Sequence, residues 1–305
     1  MLLHWRADKV WGVDFQLGGD ADPQSEREPQ RVLVGVRALL GAPAQFEWVG
    51  ASVYAFSSLT MEAFRHGRVF FAGDSAHGVS PFGARGGNFG VQDAENLAWN
   101  LRYVVRSHAP DALHDSYRDE REFAADENIR NSTGSTDFIT PKSELSWQFR
   151  DATLERDCAF SQPLVNSGRL SRPSTYASSP LNAPDEDELA GVAVPGAPLP
   201  DAPLRDAGWL LRLTGDEFIL LCFSGAGIPS CDPAPIKVVV GEDDGLAAER
   251  LGAPAGGVYL VRPDQHVAAR RRRFDAAKVA ACRCTTPCCR TAPTATPSRR
   301  PVTLN

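Results

Sequence analysis

The pattern of apolar and polar positions changes character along the chain. Val10-Trp11-Gly12-Val13-Asp14-Phe15-Gln16-Leu17 alternates loosely, as a half-buried strand does. Val32, Val34, Val36, Leu39 and Leu40 fit a short helix. Phe46 to Phe56 is rich in aromatic and β-branched residues and predicts a further strand. Residues 1 to about 64 therefore read mainly as strands and turns. Val69-Phe70-Phe71-Ala72 is short and wholly apolar, the pattern of a strand buried on both faces of a parallel sheet. Gly73-Asp74 stands at its carboxyl end. A Gly- and Pro-rich loop follows from Ser75 to Gly87, and then a predicted helix from about Asn88 to Val105, with Asn88 as its N-cap. Leu97, Leu101, Val104 and Val105 recur at helical spacing and predict its apolar face.

Residues 111 to about 160 predict two or three helices. Residues 161 to 208 are rich in Pro, Ser and Gly and carry the acidic run Asp185-Glu186-Asp187-Glu188, which reads as a linker or loosely wrapped segment. A small α/β domain follows. Its strands are predicted at Trp209–Leu213, Phe218–Phe223, Ile236–Val240 and Gly257–Val261, and its helices at Asp243–Leu251 and Arg273–Ala281. The run Arg270 to Arg273 reads as a solvated face. Arg283 to Asn305 has four prolines, six threonines and almost no aliphatic residues, and is expected to be disordered because it buries too little to offset its ordering entropy. Its abrupt onset reads as a reading-frame change near Cys282. The other reading, a metal-binding cysteine knot, rests on Cys282, Cys284, Cys288 and Cys289.

Composition narrows the classes. The 305 residues carry a net charge of −6 without sustained basic patches, which argues against a nucleic-acid partner. No stretch reaches the roughly 18 consecutive apolar residues of a membrane span, and no secretory signal is evident, so a cytoplasmic location is expected. In that setting the sequon at Asn131 has no meaning. Scattered Cys158, Cys222 and Cys231 read as reduced thiols. No Cys-x-x-Cys is present, so no zinc ribbon, dithiol motif or metal site is expected. Gly225-Ala226-Gly227 is followed by Pro229 and Ser230, which spoil a dinucleotide pattern.

The chemistry concentrates in residues 67 to 105. A carboxylate at the end of a buried parallel strand sits where open α/β sheets bind ligands, and Asp74 has that place. Such a carboxylate suits a ribose or ribityl hydroxyl, because a charged acceptor bonds a neutral donor strongly. Pro81-Phe82-Gly83-Ala84-Arg85-Gly86-Gly87-Asn88 then leads into a helix N-terminus. Its glycines let backbone approach a flat ligand, and the helix end favours negative charge on that ligand.

Three segments of this region carry a resemblance. They are Gly67 to His77, Pro81 to Asn88, and Gln92-Asp93-Ala94-Glu95-Asn96-Leu97-Ala98-Trp99. Together they resemble the second flavin motif of the para-hydroxybenzoate hydroxylase-like FAD monooxygenases, nearest the hydroxyphenylpropionate and polyketide hydroxylase branch. The resemblance implies a mixed α/β fold. Residues 1–66 would be part of a substrate-binding domain, 67–160 the C-terminal part of an FAD-binding domain, 161–189 a linker and 190–282 a thioredoxin-like domain of structural role, with 283–305 as the tail. It implies that Gly73, Asp74, Pro81, Gly83, Gly86, Gly87 and Asn88 bind FAD. Asp74 would meet the ribityl chain, Pro81 the reactive face of the ring, and the N–H groups of Gly87 and Asn88 its pyrimidine edge. NAD(P)H would reduce the flavin and O2 would hydroxylate a small aromatic substrate, with no side-chain nucleophile required.

The departures matter as well. The family's Gly-x-Gly-x-x-Gly and Asp-Gly motifs are absent from these residues, so the sequence reads as a truncated member that begins inside the substrate domain. Weak flavin binding and poor solubility are expected of such a chain. His77 reads as a loop-orienting histidine or a proton shuttle. Arg85 reads as a contact to NAD(P)H or a substrate acid, or as a solvated arginine. Trp48, Tyr54 and Phe56 read as core or as substrate-facing. Two rival functions stand beside the hydroxylase: a non-catalytic interaction or homodimer module built on the thioredoxin-like domain, and a flavin halogenase or reductase.

Overall fold

The computed structural model describes residues 2–18, 20–41, 44–155, 172–204, 208–223, 236–241, 245–275 and 302–303. The chain divides into two compact units, one of Met1–Ser57 with Thr136–Ser161 and one of Ser58–Ser135 with Gln162–Asn305.

In the first unit, β1 (Leu2–Ala7) and β2 (Val10–Asp14) form an antiparallel hairpin with Trp5 opposite Trp11. The short helix α1 (Pro23–Glu26) starts where the Asp22 carboxylate accepts from the backbone N–H groups of Gln24 and Ser25, both at 3.2 Å. Helix α2 (Pro29–Leu40) has proline in its first turn, where no backbone donor is missed, and is followed by Gly41 at φ 82°. Gly35 lets α2 lie directly on the Phe15 ring, since a methyl there would meet that ring at 2.8 Å. Phe46 to Phe56, predicted as a strand, has no regular structure, and Tyr54 is 72% exposed. These aromatics have no ladder to join, and β-propensity alone does not make a strand. Tyr54 and Phe56 are therefore not core residues.

The second unit begins with short pairings. β3 (Leu59–Thr60) pairs with β6 (His77–Gly78), and β4 (Arg65–His66) with β5 (Val69–Phe70), both antiparallel. The expected doubly buried parallel strand at 69–72 is thus the second arm of a tight hairpin, and Val69 is exposed. Gly67, at φ 61°, makes the reversal between the arms. Helices α3 (Gly86–Val105) and α4 (Leu113–Ile139) follow, the last turn of α4 and α5 (Glu144–Glu155) being counted with the first unit; α4 and α5 are the helices predicted over 111–160. The helix α3 starts two residues before the expected N-cap: Asn88 is inside it and Arg85 is the cap residue. Its buried face is Phe89, Asp93, Asn96, Trp99, Asn100 and Tyr103, whereas Val105 is exposed. Of the predicted apolar face, Leu97 and Val104 pack half-buried at its edge and Leu101 is half-buried; the periodicity missed the centre because half of the inner positions are polar.

The C-terminal sheet has strand order β12-β11-β9-β10-β13. β7 (Pro203–Leu204) and β8 (Gly208–Trp209) form a small separate pair before it. β9 (Phe218–Phe223) runs parallel to β10 (Ile236–Gly241), which is parallel in turn to β13 (Val302–Thr303). Helix α6 (Gly245–Leu251) leads to β11 (Val258–Val261), antiparallel to β9 and to β12 (Val267–Arg271). Phe218, Leu220 and Cys222 pack with Trp99, Tyr103 and Leu113 of the helices, while Ile219, Leu221 and Phe223 pack on the other side with Leu199, Leu251 and Val267. Burial on both faces is why this strand is an unbroken apolar run, each side chain contributing roughly 1.5–3 kcal/mol. The predicted strand at Trp209–Leu213 is instead the end of β8 and one turn of 3-10 helix, Leu210–Arg212.

The arginine run is solvated at Arg272 and Arg273 but not at its other two positions. Arg270 and Arg271 are buried in β12. Arg270 donates from Nη2 to Asp185 at 2.6 Å, Arg271 donates to the Pro184 carbonyl at 2.7 Å, and the Arg272 N–H donates to the Asp187 carboxylate at 2.7 Å. Arg271 Nη2 also lies 3.7 Å from the Glu186 carboxylate, so Asp185, Glu186 and Asp187 are laid along Arg270, Arg271 and Arg272. Within the expected linker, the described residues from Arg172 to Leu189 bury Tyr176, Leu181 and Leu189. The rest of that linker, the predicted helix from Ala276 on and the cysteine cluster lie outside the described residues. So does the predicted tail, apart from Val302 and Thr303.

Candidate functional site

The turn after β5 brings Gly73, Asp74 and Ser75 into one turn of 3-10 helix. Gly73 adopts φ 58°, a left-handed conformation that glycine takes without steric cost. The turn rests on the first turns of α3: a methyl on Gly73 would meet the Gly90 Cα at 3.8 Å. Asp74 is exposed, and its carboxylate makes no hydrogen bond or ion pair among the described residues.

The loop between this turn and α3 is anchored at both ends on α4. Ser80 and Ser132 share a 2.6 Å hydroxyl hydrogen bond. Arg85 is buried and donates from Nη1 to Asn128 Oδ1 at 2.7 Å. Arg85 is thus not a solvated arginine. Between the anchors, Gly83 at φ 90° and Ala84 at φ 52° are both left-handed. A non-glycine residue in that region carries strain of the kind concentrated at functional sites. Pro81, Ala84, Gly87 and Asn88 are exposed.

The cap residue Arg85 makes no side-chain cap hydrogen bond to α3, and the backbone N–H groups of a helix's first turn have no intrahelical acceptors. A methyl on Gly87 would meet nothing within 4 Å, and one on Gly86 only the Val79 side chain at 3.6 Å. The Asn88 side chain donates to the Ala84 carbonyl at 2.8 Å and stiffens the entry to the helix. The turn that carries the exposed Asp74 therefore packs on α3, whose first turn holds the exposed Gly87. This donor set fits a ligand with hydroxyls, a flat body and an electron-rich edge.

Beneath that surface lies a charged centre that the sequence reading did not single out. Asp93 is wholly buried. Its Oδ2 accepts from the Gly73 N–H at 2.8 Å and meets His77 Nε2 at 2.7 Å, and its Oδ1 accepts from Arg121 Nε at 2.6 Å. Burial alone would raise the Asp93 pKa. The hydrogen bond from His77, the charge of Arg121 and the Gly73 N–H outweigh it and hold the carboxyl below its ordinary range. The placement of His77 agrees with an orienting role. Arg121 also donates to the Tyr176 hydroxyl and, at 3.3 Å, to the Phe89 carbonyl, with its guanidinium 4.2 Å from the Phe89 ring centre. Burial, followed by the negative charge of Asp93, pushes the Tyr117 phenol upward, and its hydroxyl donates to the Phe71 carbonyl at 2.6 Å. The signal for Asp93 was its spacing: Phe89, Asp93, Asn96, Asn100 and Tyr103 fall on one helical face.

A second buried network joins the helices to the C-terminal sheet. Arg262 donates to both oxygens of Glu120 and to Asp264, and Asp264 also accepts from Asn96 at 3.0 Å and Trp99 at 3.1 Å. Burial would raise the Asp264 carboxyl, but Arg262 first and then His266 drive it far below the ordinary range. Among the described residues no cluster of three or more His, Cys, Asp or Glu could hold a metal ion, and no helix is long and apolar enough to cross a membrane.

Comparison with known proteins follows the same lines. Residues 4–132 match the FAD binding domain family. The chain is 31% identical to 6-methylpretetramide 4-monooxygenase of Streptomyces rimosus, over 88% of this chain and 52% of that protein. It is 47% identical to an aromatic compound monooxygenase of Bacillus subtilis, YhjG, over 67% of this chain and 40% of that protein. Among solved structures it is similar to aklavinone-11 hydroxylase in a ternary complex with FAD and aklavinone. That match has a TM-score of 0.68 at 24% identity and covers 88% of this chain and 52% of the other. The chain spans about half the length of the curated relatives it matches. Its mixed α/β fold is that of the FAD-dependent hydroxylases, and over residues 4–132 the chain matches the FAD binding domain, with relatives named as aromatic and polyketide monooxygenases.

Proposed function

We propose that this chain forms the ribityl and pyrimidine-edge half of an FAD site in a monooxygenase that hydroxylates a small aromatic compound with NAD(P)H and O2. The observation that carries the reading is the exposed Asp74 carboxylate on a turn fixed from below by buried Asp93 and packed on α3, whose first turn holds Gly86 and Gly87. The relatives named as aromatic and polyketide monooxygenases supply the substrate class.

Each residue has a defined task. Asp74 accepts from a ribityl hydroxyl. The backbone N–H groups at Gly87 and Asn88 donate to the pyrimidine edge, and the positive helix end stabilises negative charge there. Gly83, Gly86 and Gly87 leave the space a flat ring needs, and Pro81 covers its reactive face without adding a competing donor. Bound FAD supplies the hydride acceptance and oxygen activation, and the protein orients and shields it. The parallel β9–β10 pair with the antiparallel β11–β12 hairpin supports reading residues 190–282 as a thioredoxin-like domain. Cys222, buried in β9, fits a structural rather than a redox role there.

FAD fluorescence titration of the chain tests the reading. Saturable quenching that is also given by riboflavin, which contains the ribityl and ring portions alone, is the expected result. Absence of quenching by both flavins contradicts it.

A further inference from the structure

The buried centre under the Gly73–Asp74 turn does not end at Asp93. Each nitrogen of Arg121 is engaged: Nε binds Asp93, Nη1 donates to the Tyr176 hydroxyl, Nη2 reaches the Phe89 carbonyl, and its face covers the Phe89 ring. It therefore has one orientation. Tyr176 is gripped by the C-terminal lobe, the sheet of β9, β11 and β12 with the segment 172–204 that bonds to it through Ala183, Gly196 and Leu199. Its ring stacks on His266 at 4.7 Å, its N–H donates to the Gly196 carbonyl at 2.8 Å, and its own carbonyl accepts from Asn182 at 2.6 Å. Gly196, at φ 86°, approaches so closely that a methyl there would strike the Tyr176 carbonyl. Burial, the first of several influences, raises the Tyr176 phenol to about 12, so it stays neutral and accepts from Arg121.

We propose that Arg121 and Tyr176 are positioning residues through which the C-terminal lobe holds the Gly73–Asp74 turn in its flavin-binding form. The chain of contacts runs from His266 to Tyr176, Arg121, Asp93, and finally to the Gly73 N–H and His77. Hydrogen bonds in a water-excluded network are coupled, so a displaced Tyr176 hydroxyl is felt at Gly73. Tyr176 lies 55 residues from Arg121 in the sequence. The lobe thereby contributes to flavin affinity without touching the flavin. This inference rests on the flavin reading above for its functional meaning, but its mechanical part is measurable without flavin.

The test uses the full chain, its Tyr176→Phe variant and, as control, Tyr259→Phe. Tyr259 is equally buried, and its hydroxyl bonds the Leu251 carbonyl at 3.2 Å, away from the turn. Hydrogen exchange is followed by mass spectrometry without flavin, and FAD affinity is then measured. Tyr176→Phe is expected to speed exchange in residues 72–78 about fivefold while residues 218–223 keep the parent rate, and to weaken FAD binding about tenfold. Tyr259→Phe is expected to leave both readings of the turn unchanged. Parent-like exchange at 72–78 in Tyr176→Phe, equal acceleration in the control, or unchanged FAD affinity overturns the inference. Faster exchange at the turn in a chain that takes up no flavin upholds the bracing and contradicts the flavin reading instead.

Discussion

Arg262 and Glu120, 142 residues apart in the sequence, meet as a two-pronged ion pair, Nη1 to Oε1 at 2.6 Å and Nη2 to Oε2 at 2.7 Å. Both are buried, and Arg262 also binds Asp264. Removing the guanidinium leaves two carboxylates in a water-excluded site. Arg262→Leu is therefore expected to cost about 3–5 kcal/mol, the range for breaking a buried pair. Urea unfolding followed by circular dichroism measures it, and a loss below about 1 kcal/mol would show that the pair is not load-sharing in this core.

Asp93 and Asp264 set the acid side of stability. Both carboxyls are held below the ordinary value of 3.8 in the fold. A group whose folded pKa is depressed contributes stability that is fully present above its unfolded pKa and lost as pH falls through the folded one. Stability should thus be level in this respect above about pH 5 and fall steadily below about pH 4. Asp93→Asn and Asp264→Asn should each start from a lower stability at pH 6 and lose less on acidification. An unchanged slope between pH 4 and pH 2.5 in both variants counts against the assignment.

The arginine run offers a comparison within one strand and its end. Arg270 is buried against Asp185, whereas Arg272 is exposed. Arg270→Ala is expected to destabilise by about 3 kcal/mol, because Asp185 loses its partner and the strand its packing. Arg272→Ala should stay within about 0.5 kcal/mol of the parent. Equal, small effects would restore the solvated reading of the whole run.

Gly87 separates ligand space from protein packing. A methyl there touches nothing in the protein, and alanine favours a helix over glycine by up to about 1 kcal/mol. Gly87→Ala should leave stability unchanged or raise it, yet weaken FAD binding about tenfold or more by occupying the ring's place. A variant that is more stable and binds FAD as its parent does would remove Gly87 from the site.

The sequence exposed the part of the site whose composition is unusual in itself. Gly73, Asp74, Gly83, Gly86 and Gly87 are legible because turns, bare backbone and helix starts demand particular residues. The doubly buried strand Phe218–Phe223 was equally plain, since nothing polar interrupts it. Asp93, Arg121 and Arg270 were not, because whether a charge is buried depends on a partner far along the chain. Arg270 and Asp185 are 85 residues apart, and neither run announces the other. Phe46 to Phe56 misled for the converse reason: its residues favour strands, but a strand also needs a neighbour that no local pattern supplies.

The central claim is that Asp74 and the α3 N-terminus form the flavin site. It is tested most directly by titrating FAD into the chain and its Asp74→Ala variant, with circular dichroism as the folding control. A charge-assisted hydrogen bond contributes roughly 1.5–3 kcal/mol, about tenfold to over a hundredfold in affinity. The account predicts that the variant keeps the parent's circular dichroism spectrum and binds FAD weaker by that factor. A folded Asp74→Ala protein that holds FAD as tightly as its parent contradicts it.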